Sequence, residues 1–114
     1  MKHKHTFREV NDIIVLELSG KIMGGTEDTT LVNQIYEFAD QNKTKVVIDF
    51  SEVEWMNSRG LGICICGATT LRNRGGDLRL ARPSEKVAML LNRTRMFTVF
   101  EVFDTVEEAV DSFK

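Results

Sequence analysis

The sequence predicts an α/β fold, in which helices pack against a mixed β-sheet and the elements follow the order ββαβαβαβα. Segments with the periodicity of strands alternate along the chain with segments that have the periodicity of helices. The apolar run from Val46 to Phe50 is typical of a strand that is covered on both faces. No linker rich in proline or glycine divides the 114 residues, so we expect a single domain spanning residues 1–114.

The chain begins with a predicted β-hairpin. Residues 6–10 and 13–18 have strand character, and Asn11 and Asp12 between them are typical turn residues. Residues 20–25 are expected to form a loop.

The first predicted helix follows this loop and is expected to be capped by Thr26. Its apolar side chains fall on one helical face, which comprises Leu31, Ile35, Phe38 and Ala39. The strand at 46–50 follows, and a short exposed loop is expected to lead from it into a second helix.

The second helix is expected to begin at Asn57 and Ser58, which are both good capping residues, and to end at Gly75 and Gly76. Its predicted apolar face comprises Leu61, Cys64, Ile65, Ala68 and Leu71. A short strand with alternating polarity follows around Leu78.

The last third of the chain predicts a helix, a strand and a helix. Pro83 and Ser84 open a helix whose apolar residues are Val87, Leu90 and Leu91. Residues 99–103 are predicted as the last strand. Thr105 and Glu108 have the spacing of a capping box, and the apolar face of the helix that follows comprises Val106, Ala109, Val110 and Phe113.

The segment from Asn57 to Gly62 is the most informative part of the sequence for function. A serine hydroxyl here lies where backbone N–H groups and the helix dipole favour negative charge. Gly60 and Gly62 lack side chains, so other groups can approach the first turn of the helix closely. The pattern is suited to a reversibly phosphorylated serine on a protein-binding surface, although a serine at a helix start is more often a simple cap.

This segment closely resembles the signature of STAS domains, the family of anti-sigma-factor antagonists. In that family a strand ending in Asp-Leu-Ser or similar is followed by Asp-Ser-Ser-Gly-Leu-Gly or a near relative. Here the strand ends Asp49-Phe50-Ser51 and the later motif reads Asn57-Ser58-Arg59-Gly60-Leu61-Gly62. The resemblance extends over nearly the whole chain and implies the STAS-like mixed sheet. Asn57 replaces the family's usual aspartate, and Arg59 replaces its second serine.

The resemblance implies that Ser58 is a regulatory phosphorylation site and that the protein is not an enzyme. Unphosphorylated protein would bind an anti-sigma factor with serine-kinase activity, phosphorylation would release it, and a phosphatase would reset the switch. Sigma-factor-dependent transcription would be controlled in this way. A cytoplasmic location is expected because the sequence shows no long apolar run and no signal-like start. The expected partner-binding surface comprises Met56, Asn57, Ser58, Arg59, Gly60 and Leu61, together with Gly24 and Gly25.

Two other functions are compatible with the sequence. The chain could be an unswitched STAS subunit of a lipid-transport or multiprotein signalling complex. It could also sense a small ligand or nucleotide through its basic middle third, since residues 59–95 carry eight basic and two acidic side chains. Such a cluster suggests an acidic partner or a phosphate ligand, or simply a solvated face.

The sequence offers no pattern of a catalytic, cofactor or metal site. Ser58 lacks the Gly-x-Ser-x-Gly elbow, and there is no Walker-type loop or zinc-ligand spacing. The acidic group of Asp49, Glu52 and Glu54 is a weak metal candidate. No aromatic interleaving accompanies the arginines, so direct nucleic-acid binding is not expected, and no apolar run is long enough to predict membrane insertion. The oligomeric state is left open.

Overall fold

The computed structural model describes residues 4–24 and 26–114. Its elements confirm the predicted order, with one additional 3₁₀ turn before the last strand. They are β1 (Lys4–Val10), β2 (Ile13–Ile22), α1 (Thr26–Asp40), β3 (Lys45–Met56), α2 (Ser58–Asn73), β4 (Asp77–Ala81), α3 (Glu85–Arg93), the 3₁₀ turn (Met96–Thr98), β5 (Val102–Phe103) and α4 (Val106–Asp111). None of the described helices is long and apolar enough to cross a membrane.

The strands form one mixed sheet in the order β1-β2-β3-β4-β5. The hairpin strands β1 and β2 are antiparallel, whereas β2, β3, β4 and β5 run parallel to one another. Asn11 and Asp12 both have positive φ angles, as the predicted tight turn requires. Because β3 is the central strand, its carboxyl end places the residues that follow it at the middle of one sheet edge.

Alternate side chains of the central strands enter two separate apolar clusters. Ile14, Leu16, Val46 and Ile48 point into the larger cluster, which they share with the apolar faces of α1, α2 and α3. On the opposite face, Ile13, Val15, Val47 and Ala81 pack against Val106, Ala109 and Val110 of α4. Covered on both faces, the apolar run of β3 is buried as its sequence predicts.

Several predicted boundaries are wrong. The strand β2 continues to Ile22, so the expected loop at 20–25 begins only after it. The strand β3 continues to Met56, which removes the exposed loop predicted between this strand and α2. The last strand contains only Val102 and Phe103, because the 3₁₀ turn occupies the preceding segment and leaves Val99 exposed.

The predicted apolar face of α2 is correct except at Ile65, whose side chain is exposed. Gly67 lies at the helix–helix contact instead, since a Cβ atom there would lie 2.9 Å from Ile35 Cδ1. The buried face of α2 therefore includes Gly67, which packs against α1, whereas Ile65 lies outside this face. The helix ends as predicted, with Gly75 at a φ of +84° and the Gly76 N–H donating to the carbonyl oxygen of Leu71 at 2.8 Å.

Candidate functional site

Asn57, not Ser58, caps α2. Its backbone is extended, and its Oδ1 atom accepts a hydrogen bond from the Gly60 N–H at 3.0 Å. Its Nδ2 atom donates to the carbonyl oxygen of Met23 at 3.2 Å, which ties the start of α2 to the segment after β2. Only an amide can make both bonds, because an ionised aspartate has no donor. The departure from the family pattern at position 57 therefore has a structural role.

Ser58 is the first residue of α2, and its side chain is exposed. Since Asn57 supplies the cap, the Ser58 hydroxyl remains available on the surface rather than being used to hold the helix end. The adjacent turn is fixed by Asn57, by the Asn57 N–H donating to the Ile22 carbonyl at 3.4 Å, and by the buried Gly60. The Ser58 hydroxyl is therefore exposed at a turn that is held by hydrogen bonds of its neighbours.

Gly60 and Gly62 have different surroundings. A Cβ atom at Gly60 would lie 2.4 Å from the Ile22 carbonyl oxygen and 2.9 Å from Met56 Cγ, so this glycine allows α2 to contact the end of β2. The close approach expected at Gly60 is therefore made by the protein's own backbone. At Gly62, apart from its chain neighbours and the helix's own backbone, no described atom lies within 4 Å of the position that a Cβ would take, so this position is open.

The predicted partner-binding residues divide into a buried and an exposed group. Met56 and Leu61 are each only 3% exposed, so they support the turn from the core side and offer little surface to a partner. Arg59 is exposed, and its stem lies against Gly24, where a Cβ atom would be 2.5 Å from Arg59 Cβ. Gly24 also has a φ of +81°, which favours glycine. Gly25 lies outside the described residues.

A groove of about 400 Å³ lies beside Ser58. One side is formed by the end of β3 and the start of α2, and the other side by α3; its lining residues are Trp55, Met56, Asn57, Ser58, Lys86, Met89, Leu90 and Arg93. Trp55 and Met89 are 42% and 52% exposed, respectively. Lys86 Nζ lies 5.3 Å from the centroid of the Trp55 ring, within cation–π range.

The sequence motif around Ser58 does not predict that α3 contributes to this site. Lys86, Met89 and Arg93 are spaced three and four residues apart, which puts them on one helical face. This spacing indicates a shared exposed stripe, but the sequence does not show that the stripe packs beside Ser58. From sequence alone, Lys86 and Arg93 are simply two members of the basic middle third.

Much of that basic third stabilises the fold. Arg72 and Arg79 donate to Asp77 at 2.7 and 3.2 Å, and Arg79 also pairs with Glu101 at 3.0 Å. Partial burial raises the pKa of Asp77, but hydrogen bonds from Arg72, the Leu78 N–H and Arg79 outweigh burial and lower this pKa below its ordinary value. The charges of Arg72 and Arg79 are therefore paired with carboxylates of the protein itself.

Two further arginines have carboxylate partners. Arg74 pairs with Asp40 at 2.8 Å, and Arg82 pairs with the buried Asp49 at 3.6 Å. Among the side chains that the structure describes, which exclude those of residues 1–4 and 25–28, no ion pair is found for the four remaining basic side chains of the middle third, which are Arg59, Lys86, Arg93 and Arg95. Two of these four line the groove.

The acidic residues near Ser58 do not form a metal site. Asp49 is buried, accepts a hydrogen bond from the Ser51 N–H at 3.0 Å and pairs with Arg82, whereas Glu52 and Glu54 are exposed. Among the described residues, no group of three His, Cys, Asp or Glu side chains could hold a metal ion.

The two cysteines have different surroundings, because residues two apart on a helix point in different directions. Cys64 is buried and burial raises its pKa to about 12, whereas Cys66 is exposed.

Comparison with known proteins agrees with the motif around Ser58. A candidate anti-sigma factor antagonist from Thermotoga maritima is 24% identical over 110 residues, which cover 95% of this chain and 96% of that protein. An anti-sigma factor antagonist from Mycobacterium paratuberculosis superposes with a TM-score of 0.84 at 20% identity, covering 97% of this chain and 93% of that one.

The Bacillus protein SpoIIAA has been solved in two forms. Its unphosphorylated form gives a TM-score of 0.74 at 20% identity and covers 96% of this chain and 97% of its own. Its phosphorylated form gives a TM-score of 0.76 at 19% identity and covers 97% of this chain and 100% of its own. These likenesses establish the shared fold. Residues 5–109 match the model of the STAS domain, and the chain therefore belongs to the STAS domain family.

Proposed function

We propose that this protein is an anti-sigma-factor antagonist whose binding to its partner is controlled by phosphorylation of Ser58. The observation that carries the proposal is the exposed Ser58 hydroxyl, which is held at the first residue of α2 while the neighbouring Asn57 performs the capping. A serine that served as the cap would have its hydroxyl oxygen engaged with a backbone N–H, and would be less accessible as a phosphate acceptor. Here the two roles fall on different residues.

The unmodified surface around Ser58 would bind an anti-sigma factor that has serine-kinase activity and draw it away from a sigma factor. Phosphorylation adds about −1.5 to −2 charges, which an interface formed around a neutral hydroxyl does not accommodate. The phosphorylated protein would release the anti-sigma factor, and a phosphatase would restore binding. In this role the protein is a cytoplasmic binding module of one domain rather than an enzyme.

The relatives support this proposal. Those compared above are named as antagonists of anti-sigma factors, and SpoIIAA has been solved with and without its phosphate. The matching fold of this chain carries a serine at the start of α2, in the motif Asn57-Ser58-Arg59-Gly60-Leu61-Gly62.

The direct test treats the purified protein with the serine-kinase anti-sigma factors of its own organism and measures the intact mass. We expect one phosphate on the wild type and none on Ser58→Ala. The matched control is Ser51→Ala, which removes a serine hydroxyl from β3 and leaves Ser58 in place. A full phosphate on Ser58→Ala would reject Ser58 as the site.

The unswitched STAS subunit is the competing function, and the same variants separate it from the switch. A protein that binds its partner stably but takes no phosphate from any of these kinases would be an unswitched subunit. In that case Asn57 would serve only to cap α2 and to hold the Met23 carbonyl.

A further inference from the structure

The groove beside Ser58 brings the start of α2 together with one face of α3. Ser58 forms part of one wall, and Lys86 and Arg93 form part of the other. A volume of about 400 Å³ is open enough to admit a phosphate group together with the water around it. The serine and both cations therefore line one small space, although Lys86 lies 28 positions after Ser58 in the sequence.

The two cations are accessible to a ligand in this groove, with the Lys86 ammonium lying over the exposed ring of Trp55. Both side chains are exposed, and no ion pair is found for either within the described part of the chain. Their separation of seven residues corresponds to about two helical turns, so they lie on the same side of α3 with Met89 between them. Lysine and arginine have long stems that let their charged ends reach across such a groove.

Other charged groups near the groove affect how Lys86 and Arg93 could bind an anion. Glu54 shares a neighbouring depression with Lys86, Trp55 and Lys21, so its carboxylate competes for the lysine. Arg59 is adjacent to Ser58 in sequence, but its stem lies against Gly24 and it does not line the groove. The side chains best placed to contact a phosphate within the groove are therefore those of α3.

We propose that a phosphate on Ser58 is captured by Lys86 and Arg93, so that it bridges α2 to α3 across the groove. This inference rests on the proposed phosphorylation of Ser58 and adds a mechanism to it. The phosphate oxygens accept charge-assisted hydrogen bonds from the ammonium and guanidinium groups, which are stronger than bonds between neutral groups. Partner release then has two causes, namely the added negative charge and the engagement of Lys86 and Arg93 by the phosphate.

The experiment uses full-length protein with phosphoserine incorporated at position 58 during synthesis, so that no kinase is needed. The second ionisation of a phosphoserine has a pKa near 6, and neighbouring cations lower it. Phosphorus-31 NMR follows this ionisation in the wild-type background and in the double variant Lys86→Gln/Arg93→Gln. The control double variant, Lys45→Gln/Lys114→Gln, also removes two positive charges, from the amino end of β3 and the chain terminus.

We expect the phosphate to ionise at a pH about 0.5 units lower in the wild type and in the control than in Lys86→Gln/Arg93→Gln. The Arg93 Nε–H resonance should also shift with the pKa of the phosphate. Thermal melts establish that each variant is folded. The same ionisation midpoint in all three proteins would overturn the proposal, as would an equal shift in both double variants, which would indicate only a general effect of net charge.

Inorganic phosphate added to unmodified protein distinguishes capture of the protein's own phosphate from a general anion site. We expect inorganic phosphate to leave the Arg93 resonance unchanged at concentrations up to about 1 mM, since it lacks the high effective concentration of a tethered group. Saturable binding below that concentration would overturn the proposal in favour of a free-phosphate site. Because the phosphoprotein is made without a kinase, this experiment tests phosphate capture independently of phosphorylation. Capture can fail although a kinase phosphorylates Ser58, and capture can be observed although no kinase phosphorylates Ser58.

Discussion

Gly60 and Gly62 provide a matched test of how α2 is seated on the sheet. Both glycines lie in the first turns of the helix, and replacement by alanine improves helix propensity by about 1 kcal/mol at an unobstructed position. At Gly62 no described atom outside the adjacent residues and the helix's own backbone lies within 4 Å of the added Cβ, so Gly62→Ala should raise stability. At Gly60 the added Cβ would lie 2.4 Å from the Ile22 carbonyl oxygen, and backbone cannot move aside as a flexible side chain can.

The propensity gain is common to the two variants and cancels when they are compared. The remaining difference is the cost of the contact at Gly60, which is about 1–3 kcal/mol for one methyl group forced into a packed site. For a chain of this length that difference corresponds to about 4–12 °C in melting temperature. Gly60→Ala should therefore melt below Gly62→Ala by this amount, measured by circular dichroism and by urea unfolding.

Equal melting temperatures for the two variants would refute the reasoning, because they would mean that α2 does not press on the end of β2. The structure also changes what a bulky residue at Gly60 is expected to do. From sequence alone, such a residue would project towards a partner and impair docking more than folding. Since Gly60 is buried against Ile22, a bulky residue there should lower the stability of the fold more than it weakens partner binding.

Three further results follow from the structure. Asn57→Ala should lower the free energy of unfolding by about 1 kcal/mol through loss of the cap, whereas Ser58→Ala should change it by less than about 0.5 kcal/mol; urea titrations compare them. Because the pKa of Asp77 is lowered in the folded protein, its carboxylate stabilises the fold above the unfolded pKa of about 3.9, and this contribution is lost as the pH falls below that value. Asp77→Asn should therefore lose less stability than the wild type between about pH 5 and pH 2, as urea unfolding at each pH would show. A thiol reagent should modify Cys66 in the native protein and Cys64 only after unfolding, as mass spectrometry of labelled peptides would show.

The sequence predicts most of the core because periodicity reports burial directly. The faces of α1 and α4 and the apolar run of β3 are buried as expected. The end of β3 is not predicted because Ser51, Glu52 and Glu54 are polar, although β2 pairs with this segment as far as Met56. That pairing contains register shifts, which remove the simple alternation that a sequence pattern can detect.

Only part of the site is local in sequence. The turn from Met56 to Leu61 is contiguous, so its motif can be recognised without the structure. The capping roles of Asn57 and Ser58 cannot be assigned in this way, because either side chain is chemically suited to the position. The contribution of α3 depends on how that helix packs beside β3, which is a tertiary contact without a local signal.

The central claim is that the state of Ser58 controls partner binding. Isothermal titration calorimetry of the unmodified protein and the phosphoserine-58 protein against the purified kinase-type anti-sigma factor tests it most directly. We expect the unmodified protein and Ser58→Ala to bind with similar affinity and the phosphoprotein to bind at least about tenfold more weakly, a difference of about 1.4 kcal/mol. Equal affinity of the unmodified and phosphorylated proteins would contradict the account.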